Sequence, residues 1–451
     1  MCLSCQGPGG PRPGWRPGRP RWRRHVRSGG VTTVSAPSRH RAPLVVRSVE
    51  IPNPGPLMQL LPATSPLAWV RRGEGLVGWG SAATFEPRGP QRFADSDRWW
   101  RDLVGDAVVR DEVGLPGCGP VAFGSFTFAD EPGSSKLVLP EVVIGHRSGR
   151  WWVTTVGVQG ALPPSAALNG GAAVRRPDTV AFADGARSGA EWELVVTQAV
   201  RRIAAGDLEK VVLARDLLAE SRTPVDPRWP LSRLAERYPR CWTFSVDGLI
   251  GATPEMLVRL ERGLVTSRVL AGTIRRTGDD AHDLALAASL ARSSKDLEEH
   301  EYAVRSVARA LAPHCSSMNV PETPFVLHLA NVMHLATDVT GVAADPSSSL
   351  ALAAALHPTA AVCGTPTAEA SRLIAEIEGL DRGRYAGPVG WIDASGDGEW
   401  GIALRCAEID PRDPARLRLF AGCGIVAGSD PEAELAESAA KLVAMRDALS
   451  G

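Results

Sequence analysis

Three residues near the end of the chain, Glu434, Glu437 and Lys441, are spaced i, i+3 and i+7. On a helix they fall within a stripe about 60° wide. Two carboxylates one turn apart can share a divalent cation, and Mg²⁺ takes hard oxygen ligands of this kind. An ammonium one turn further on can meet an anionic substrate. The alternative is a solvated helix face with an ordinary Glu–Lys pair. Lys210, in Glu209-Lys210-Val211-Val212-Leu213-Ala214-Arg215, shares a strand face with Val212 and Ala214. Desolvation there would lower its pKa and make it a base near neutral pH; an edge-strand lysine reaching for water is the alternative. Glu255 begins a strand just after Pro254. A partly buried carboxyl at that place can hold its proton and donate it; a surface glutamate is the alternative.

Other candidates are less defined. Lys295 to Glu301 opens a helix with four acids and His300. Periodicity puts Leu297, Val304, Val307 and Leu311 on the core side and leaves open which glutamate faces a metal. His334 and His357 read more readily as satisfied core histidines than as ligands. Phe420 to Gly428 follows a strand with spacing G-x-G-x-x-x-G, which suits main chain approaching a small ligand. It does not fit a dinucleotide loop, which needs G-x-G-x-x-G inside a βαβ unit.

The elements that must position these groups follow from periodicity and turn chemistry. Leu76–Phe85 and Val121–Phe128 read as strands, and Ser148-Gly149 turns Lys136–Ile144 into Trp151–Val156. A helix spans about Ala190 to Ala205, and a strand Val211 to Leu217. Asp247-Gly248 joins Trp242–Val246 to Leu249–Thr253, and Arg262-Gly263 joins Met256–Leu260 to Leu264–Leu270. Helices follow at about Ala281–Arg292 and Lys295–Leu311, then strands at Trp391–Asp393, Trp400–Ile409 and Arg416–Phe420. A last helix starts at Pro431, with Asp430 as its N-cap. Hairpins interleaved with helices predict a mostly antiparallel α+β fold.

Composition narrows the class. The chain has 451 residues, 44% hydrophobic and 22% charged, which is ordinary for one large or two medium globular domains. Ten arginines precede the first acid, Glu50, leaving 40 basic against 50 acidic side chains beyond them. That acidic body argues against broad nucleic-acid binding. Residues 1–43, rich in Arg, Pro and Gly, lack the apolar content to fold alone and read as a disordered extension. No apolar run is long enough to span a bilayer. The eight cysteines are scattered, and only Cys2 and Cys5 form a C-x-x-C pair. Buried free thiols in a reducing cytoplasm is the expectation.

The order of these stretches resembles the chorismate-utilising enzymes: isochorismate, salicylate, anthranilate and aminodeoxychorismate synthases. Lys210–Arg215, Gly251–Leu257, Leu270–Arg276, Lys295–His300, His334–Thr337, His357–Gly364, Tyr385–Trp391, Glu399–Cys406, Phe420–Val426 and Glu434–Leu442 carry the resemblance. Gly119–Gly124 and Leu137–Glu141 add a weaker match. The resemblance implies a single large chorismate-binding domain over 44–451, with an amino-terminal part (44–180) and a motif-bearing part (190–450). Two mostly antiparallel sheets would pack face to face with helices outside.

Lysine at 210 resembles the water-activating base of isochorismate and salicylate synthases; the ammonia-using relatives carry glutamine there and pair with a glutaminase, so no such subunit is expected. Ala361 resembles the isochorismate version, and Tyr385 also occurs in salicylate synthases. The implied activity is a Mg²⁺-dependent isomerase forming isochorismate, for menaquinone or siderophore synthesis. Salicylate synthesis and non-catalytic chorismate binding are the alternatives, and retention of both Lys210 and Glu255 argues against the latter. The implied roles are Lys210 as base and Glu255 as acid. Glu299, Glu434 and Glu437 would hold the metal. Gly272, Thr273, His334, Tyr385, Arg405, Gly422 and Lys441 would bind substrate. A cytoplasmic monomer with no membrane partner is expected.

Overall fold

Alternation along single strands builds the core. Leu67 and Trp69 belong to one buried cluster, while Ala68 and Val70 between them belong to another. Successive side chains of a strand point to opposite faces, so both faces of this sheet are covered. The computed structural model describes residues 43–133, 135–157, 173–328, 332–344 and 347–450, apart from the side chains of Thr273 and Lys295. The expected extension at 1–43 lies almost wholly outside the described residues.

The described strands form two sheets. The larger, of thirteen strands, runs Ala181–Asp184, Lys210–Glu220, Arg416–Ile425, Cys406–Ile409, Leu249–Thr253, Trp242–Val246, Leu67–Arg71, Glu74–Trp79, Val142–Arg147, Arg150–Gly157, Val45–Glu50, Val108–Asp111. Gly364–Thr365 adds to it beside Lys210–Val211. The smaller, of ten, runs Cys315–Asn319, Val332–Ala343, Leu264–Arg275, Met256–Glu261, Gly398–Ile402, Pro388–Asp393, Val121–Ser125, Lys136–Leu139, Ala83–Phe85, with Phe325–His328 beside Val332–Ala343. Every described pairing is antiparallel except Val45–Glu50 with Val108–Asp111. One core cluster draws Trp69 and Phe244 from the large sheet and Phe123, Trp391 and Trp400 from the small one.

Eight helices are described: α1 (Arg92–Gly105), α2 (Gly189–Ala204), α3 (Arg228–Arg237), α4 (Asp280–Leu290), α5 (Ser294–Leu311), α6 (Ser349–Leu356), α7 (Thr367–Ile377) and α8 (Pro431–Ser450). Helices α3 and α8 cover the face of the large sheet turned away from the small one, and α4 and α5 lie on the small sheet. Ser188 and Glu191 close a capping box at the start of α2. Asp430 Oδ1 accepts from Ala433 N at 2.9 Å, so the expected N-cap of α8 is in place. No helix among the described residues is long and apolar enough to cross a membrane.

Three predicted strands are each two strands in different sheets. Leu76–Phe85 breaks at Gly80, with Glu74–Trp79 in the large sheet and Ala83–Phe85 in the small one. Lys136–Ile144 breaks at Pro140, and Trp400–Ile409 at Ala403–Arg405. A run that leaves one buried face for another stays apolar throughout, so the pattern hides the step. The expected turns hold: Ser148-Gly149, Asp247-Gly248 and Arg262-Gly263 all have positive φ and close hairpins.

Candidate active site

The candidate residues gather where the chain steps between the sheets. Leu249–Thr253 ends in the large sheet and Met256–Glu261 begins in the small one, which leaves Glu255 on a two-residue crossing with Pro254. The crossing of Ala403–Arg405 runs beside it: Ile402 N donates to Glu255 O at 3.1 Å and Ala252 N to Arg405 O at 3.2 Å. A third segment joins them, Ala386 N donating to Ala403 O and Ala403 N to Gly387 O, both at 2.9 Å. Arg405 and Ala386 sit at φ 48° and 62°. Left-handed backbone at a non-glycine residue costs about 1–3 kcal/mol and persists where the surroundings over-determine it.

Burial pushes the Glu255 carboxyl up to about 7, against the opposing pull of Lys210, Lys441 and Arg405. The charge of all three cations thus acts on it. The Arg405 guanidinium makes no hydrogen bond or ion pair among the described residues, its carbonyl being the one that accepts from Ala252 N. Burial holds the His334 imidazole down at about 4, with Arg405 and Lys441 adding to the effect, and the ring bonds the Gly272 backbone. Gly272 is at φ 73° on a bulge between Ala271 and Thr273 in the pairing with Val332–Ala343; that conformation suits a residue without Cβ. Thr273 stands opposite His334 in register, and its side chain lies outside the described residues.

Lys210 Nζ donates to Glu299 Oε1 at 2.7 Å, with the two side chains 26% and 42% exposed. A Cβ at Gly424 would lie 2.9 Å from Lys210 Cε, so the glycine leaves the lysine its path across the neighbouring strand. Tyr385 stacks on Phe420 at 5.1 Å, and its hydroxyl would be 3.2 Å from a Cβ at Gly422. Burial raises the phenol pKa, which keeps it a neutral donor. Lys441 Nζ donates to Gly422 O and to Glu437 Oε1, each at 2.8 Å.

The acidic residues of α8 converge. Donor atoms of Cys423, Glu434 and Glu437 lie within 4.8 Å of one another. Burial raises the Glu434 carboxyl; Ser429, donating at 2.8 Å, opposes this and neighbouring Glu437 adds to it. Burial also acts on Glu437, but Lys441, Arg275 and Arg405 together outweigh it and the carboxyl sits below its usual range. Glu299 is not in this group; its Oε1 is held by Lys210.

Residue patterns alone missed four neighbours: Gly424 under Lys210, Ser429 on Glu434, Cys423 among the α8 donors and Arg275, whose charge reaches Glu437. Of these only Gly424 had a signal, the glycine-rich run. His357 Nε2 meets Phe128 O at 2.9 Å, and burial holds its pKa near 4, the satisfied core histidine expected. The described cysteines are free thiols. The strand bearing Gly422 and Gly424 pairs antiparallel on both sides, which excludes a βαβ dinucleotide loop. A cavity of about 1090 Å³ lies apart, between α1, α6, α7 and Glu378–Gly383. Of the candidate residues only His357 lines it.

Comparison with known proteins gives a consistent picture. The family model described as chorismate binding enzyme matches residues 68–450. The chain is 35% identical over 412 residues to the salicylate biosynthesis isochorismate synthase of Pseudomonas aeruginosa, covering 85% of this chain and 84% of that one. It is 44% identical over 266 residues to an isochorismate synthase of Bacillus subtilis, covering 56% of this chain and 66% of that one, just under two thirds of the relative. The structure of the menaquinone-specific isochorismate synthase of Escherichia coli superposes with a TM-score of 0.75, at 24% identity, over 91% of this chain and 95% of that one. That last likeness is one of fold.

Proposed function

The chain belongs to the chorismate binding enzymes, and on that premise we propose that it converts chorismate to isochorismate. One feature supports this above the rest: Lys210 and Glu255 act on each other through charge, and burial pushes the Glu255 carboxyl up to about 7. Lys210 takes a proton from a water attacking C2 of the ring, and Glu255 gives one to the hydroxyl leaving C4. One water enters and one departs, so product and substrate are isomers.

Chorismate carries two carboxylates. Arg405, whose guanidinium forms no ion pair among the described residues, takes the enolpyruvyl carboxylate through its planar fork, with Tyr385 as a neutral donor beside it. His334, held neutral, offers a hydrogen bond rather than a charge. Gly272, Thr273 and Gly422 supply the adjoining edge, and Lys441 a further positive charge.

Glu434 and Glu437 would hold Mg²⁺, with Glu299 contributing the oxygen that Lys210 does not use. Converging carboxylates fit a hard cation that keeps several waters, whereas the Cys423 thiol, pushed up to about 12 by burial, is no donor for it. Bound there, the ion supplies positive charge against the ring carboxylate. The reaction uses water rather than ammonia and needs no glutaminase subunit.

Incubating the purified protein with chorismate and Mg²⁺ and separating the products tests the reading. Isochorismate is the expected product. Salicylate would mean that pyruvate elimination follows, and unchanged chorismate would sink the proposal.

A further inference from the structure

The strand that carries Lys210 has a complete neighbour on one side only. Arg416–Ile425 pairs with it continuously from Val211 to Glu220. On the other side, Gly364–Thr365 pairs with Lys210 and Val211, and Ala181–Asp184 with Leu217 to Glu220. Between those two short strands lies a gap, where buried backbone groups would be left without partners at a cost.

Side chains fill the gap. Arg382 donates to Val212 O at 2.7 Å, Glu378 Oε2 accepts from Ala214 N at 2.7 Å, and Trp192 donates to Ala214 O at 3.0 Å. Arg382 and Glu378 also grip each other through two bonds, at 2.6 and 2.7 Å. The remaining arm of Arg382 reaches Val362 O at 2.9 Å, while Val212 N donates to Cys363 O at 2.8 Å. Both side chains of the pair are at most 3% exposed, and the guanidinium lies 4.2 Å from the centre of the Phe128 ring.

A buried ion pair is an expensive way to gain stability, and apolar residues of like volume often do as well. Apolar residues here would orphan Val212 O and Ala214 N. We propose that Glu378 and Arg382 are positioning residues, a two-side-chain substitute for the missing ladder. They fix the strand at Val212 and Ala214, and with it Lys210 two residues away and the Val362–Gly364 segment alongside. Neither touches substrate. The catalytic consequence rests on the reading of Lys210 as the base, while the effect on the backbone does not.

The test uses the full chain with Arg382→Lys, which keeps the charge and loses the planar fork, and Arg382→Met as the harsher change. Three quantities are read: kcat and KM for chorismate with Mg²⁺, the number of chorismate sites by calorimetry, and amide exchange at Ala214. In Arg382→Lys we expect kcat to fall about 10²-fold, the scale of a small misplacement of a reacting group. KM and the site count should stay at parental values, and the Ala214 amide should exchange faster. If Arg382→Met fails to fold, Arg382→Lys carries the test alone. Parental kcat in the folded variant overturns the proposal, as does unchanged exchange at Ala214. A site count falling in step with turnover overturns it too, because the pair would then support only the fold. Parental activity in Lys210→Ala would remove the base reading and leave the exchange result standing.

Discussion

Two glutamates mark the acid end and the base end of the proposed chemistry, and their surroundings differ. Glu255 lies on a crossing between sheets, buried enough that its carboxyl is pushed up to about 7. Glu299 lies on α5, 42% exposed, with an oxygen 2.7 Å from Lys210 Nζ. The side-chain chemistry is identical. What differs is solvent and the contact with Lys210, an ion pair at Glu299 and an effect of charge alone at Glu255. Acid and base duties in such a site are set by environment rather than by residue type.

The base end should break hardest. Lys210→Ala removes the proton acceptor, and general base catalysis is worth about 10² to 10⁴-fold, so turnover should fall by that much. Lys210→Arg should not restore it, since a guanidinium stays protonated. Chorismate should still bind by calorimetry in both variants. Parental rates in Lys210→Arg would remove the base assignment.

The acid end should break comparably or somewhat less. Glu255→Gln should cost about 10²-fold in turnover, because an amide cannot protonate a leaving hydroxyl. In the parent protein turnover should decline as pH rises through about 7, and that limb should vanish in Glu255→Gln. Stability follows the same group. Its folded pKa lies above the unfolded value, so its stabilising contribution is complete below the unfolded pKa and is lost as pH rises through about 7. Denaturation at pH 4 and pH 8 should show Glu255→Gln gaining on the parent at the higher pH. An unchanged difference would mean that Glu255 is solvated.

How much of this contrast the sequence carried differs between the ends. Hairpins were plain, because Asp247-Gly248 and Arg262-Gly263 name their own turns. Crossings were not. Trp400–Ile409 is apolar on both sides of Arg405, and only tertiary structure reveals that the chain changes sheets there. Periodicity likewise left open which acid of α5 faces the site, and Lys210 marks Glu299. The grouping of distant residues came from resemblance to a family rather than from spacing. The Glu378–Arg382 pair left no trace in the pattern, because what it serves is backbone more than 160 residues away in the chain.

A milder change sharpens the comparison from the side of α8. Glu437→Gln removes one anionic oxygen from the converging set and releases Lys441 from its 2.8 Å partner. More Mg²⁺ should then be required for half-maximal turnover, with the folded state intact, since volume is nearly conserved. Thorough chelation should stop the parent enzyme, and added Mg²⁺ should restore it. Full turnover after chelation would remove the metal from the account.

The smallest effect comes from a site that belongs to neither end. Ser188 caps α2: its Oγ accepts from Glu191 N at 3.3 Å, and Glu191 Oε2 accepts from Ser188 N at 2.8 Å. Helix α2 packs against α7 and α8, so it supports the wall behind the chemistry without touching it. Ser188→Ala leaves one amide of the first turn to water and removes half of the box, a loss of about 1 kcal/mol. In a body this large that lowers Tm by about 1–2 °C. If the two ends act through local environment alone, kcat and the fall of turnover above pH 7 should match the parent in Ser188→Ala. A changed pH profile with so small a loss of stability would mean that the Glu255 environment depends on how α2 seats against the sheet, and the contrast between the ends would then belong to the whole fold.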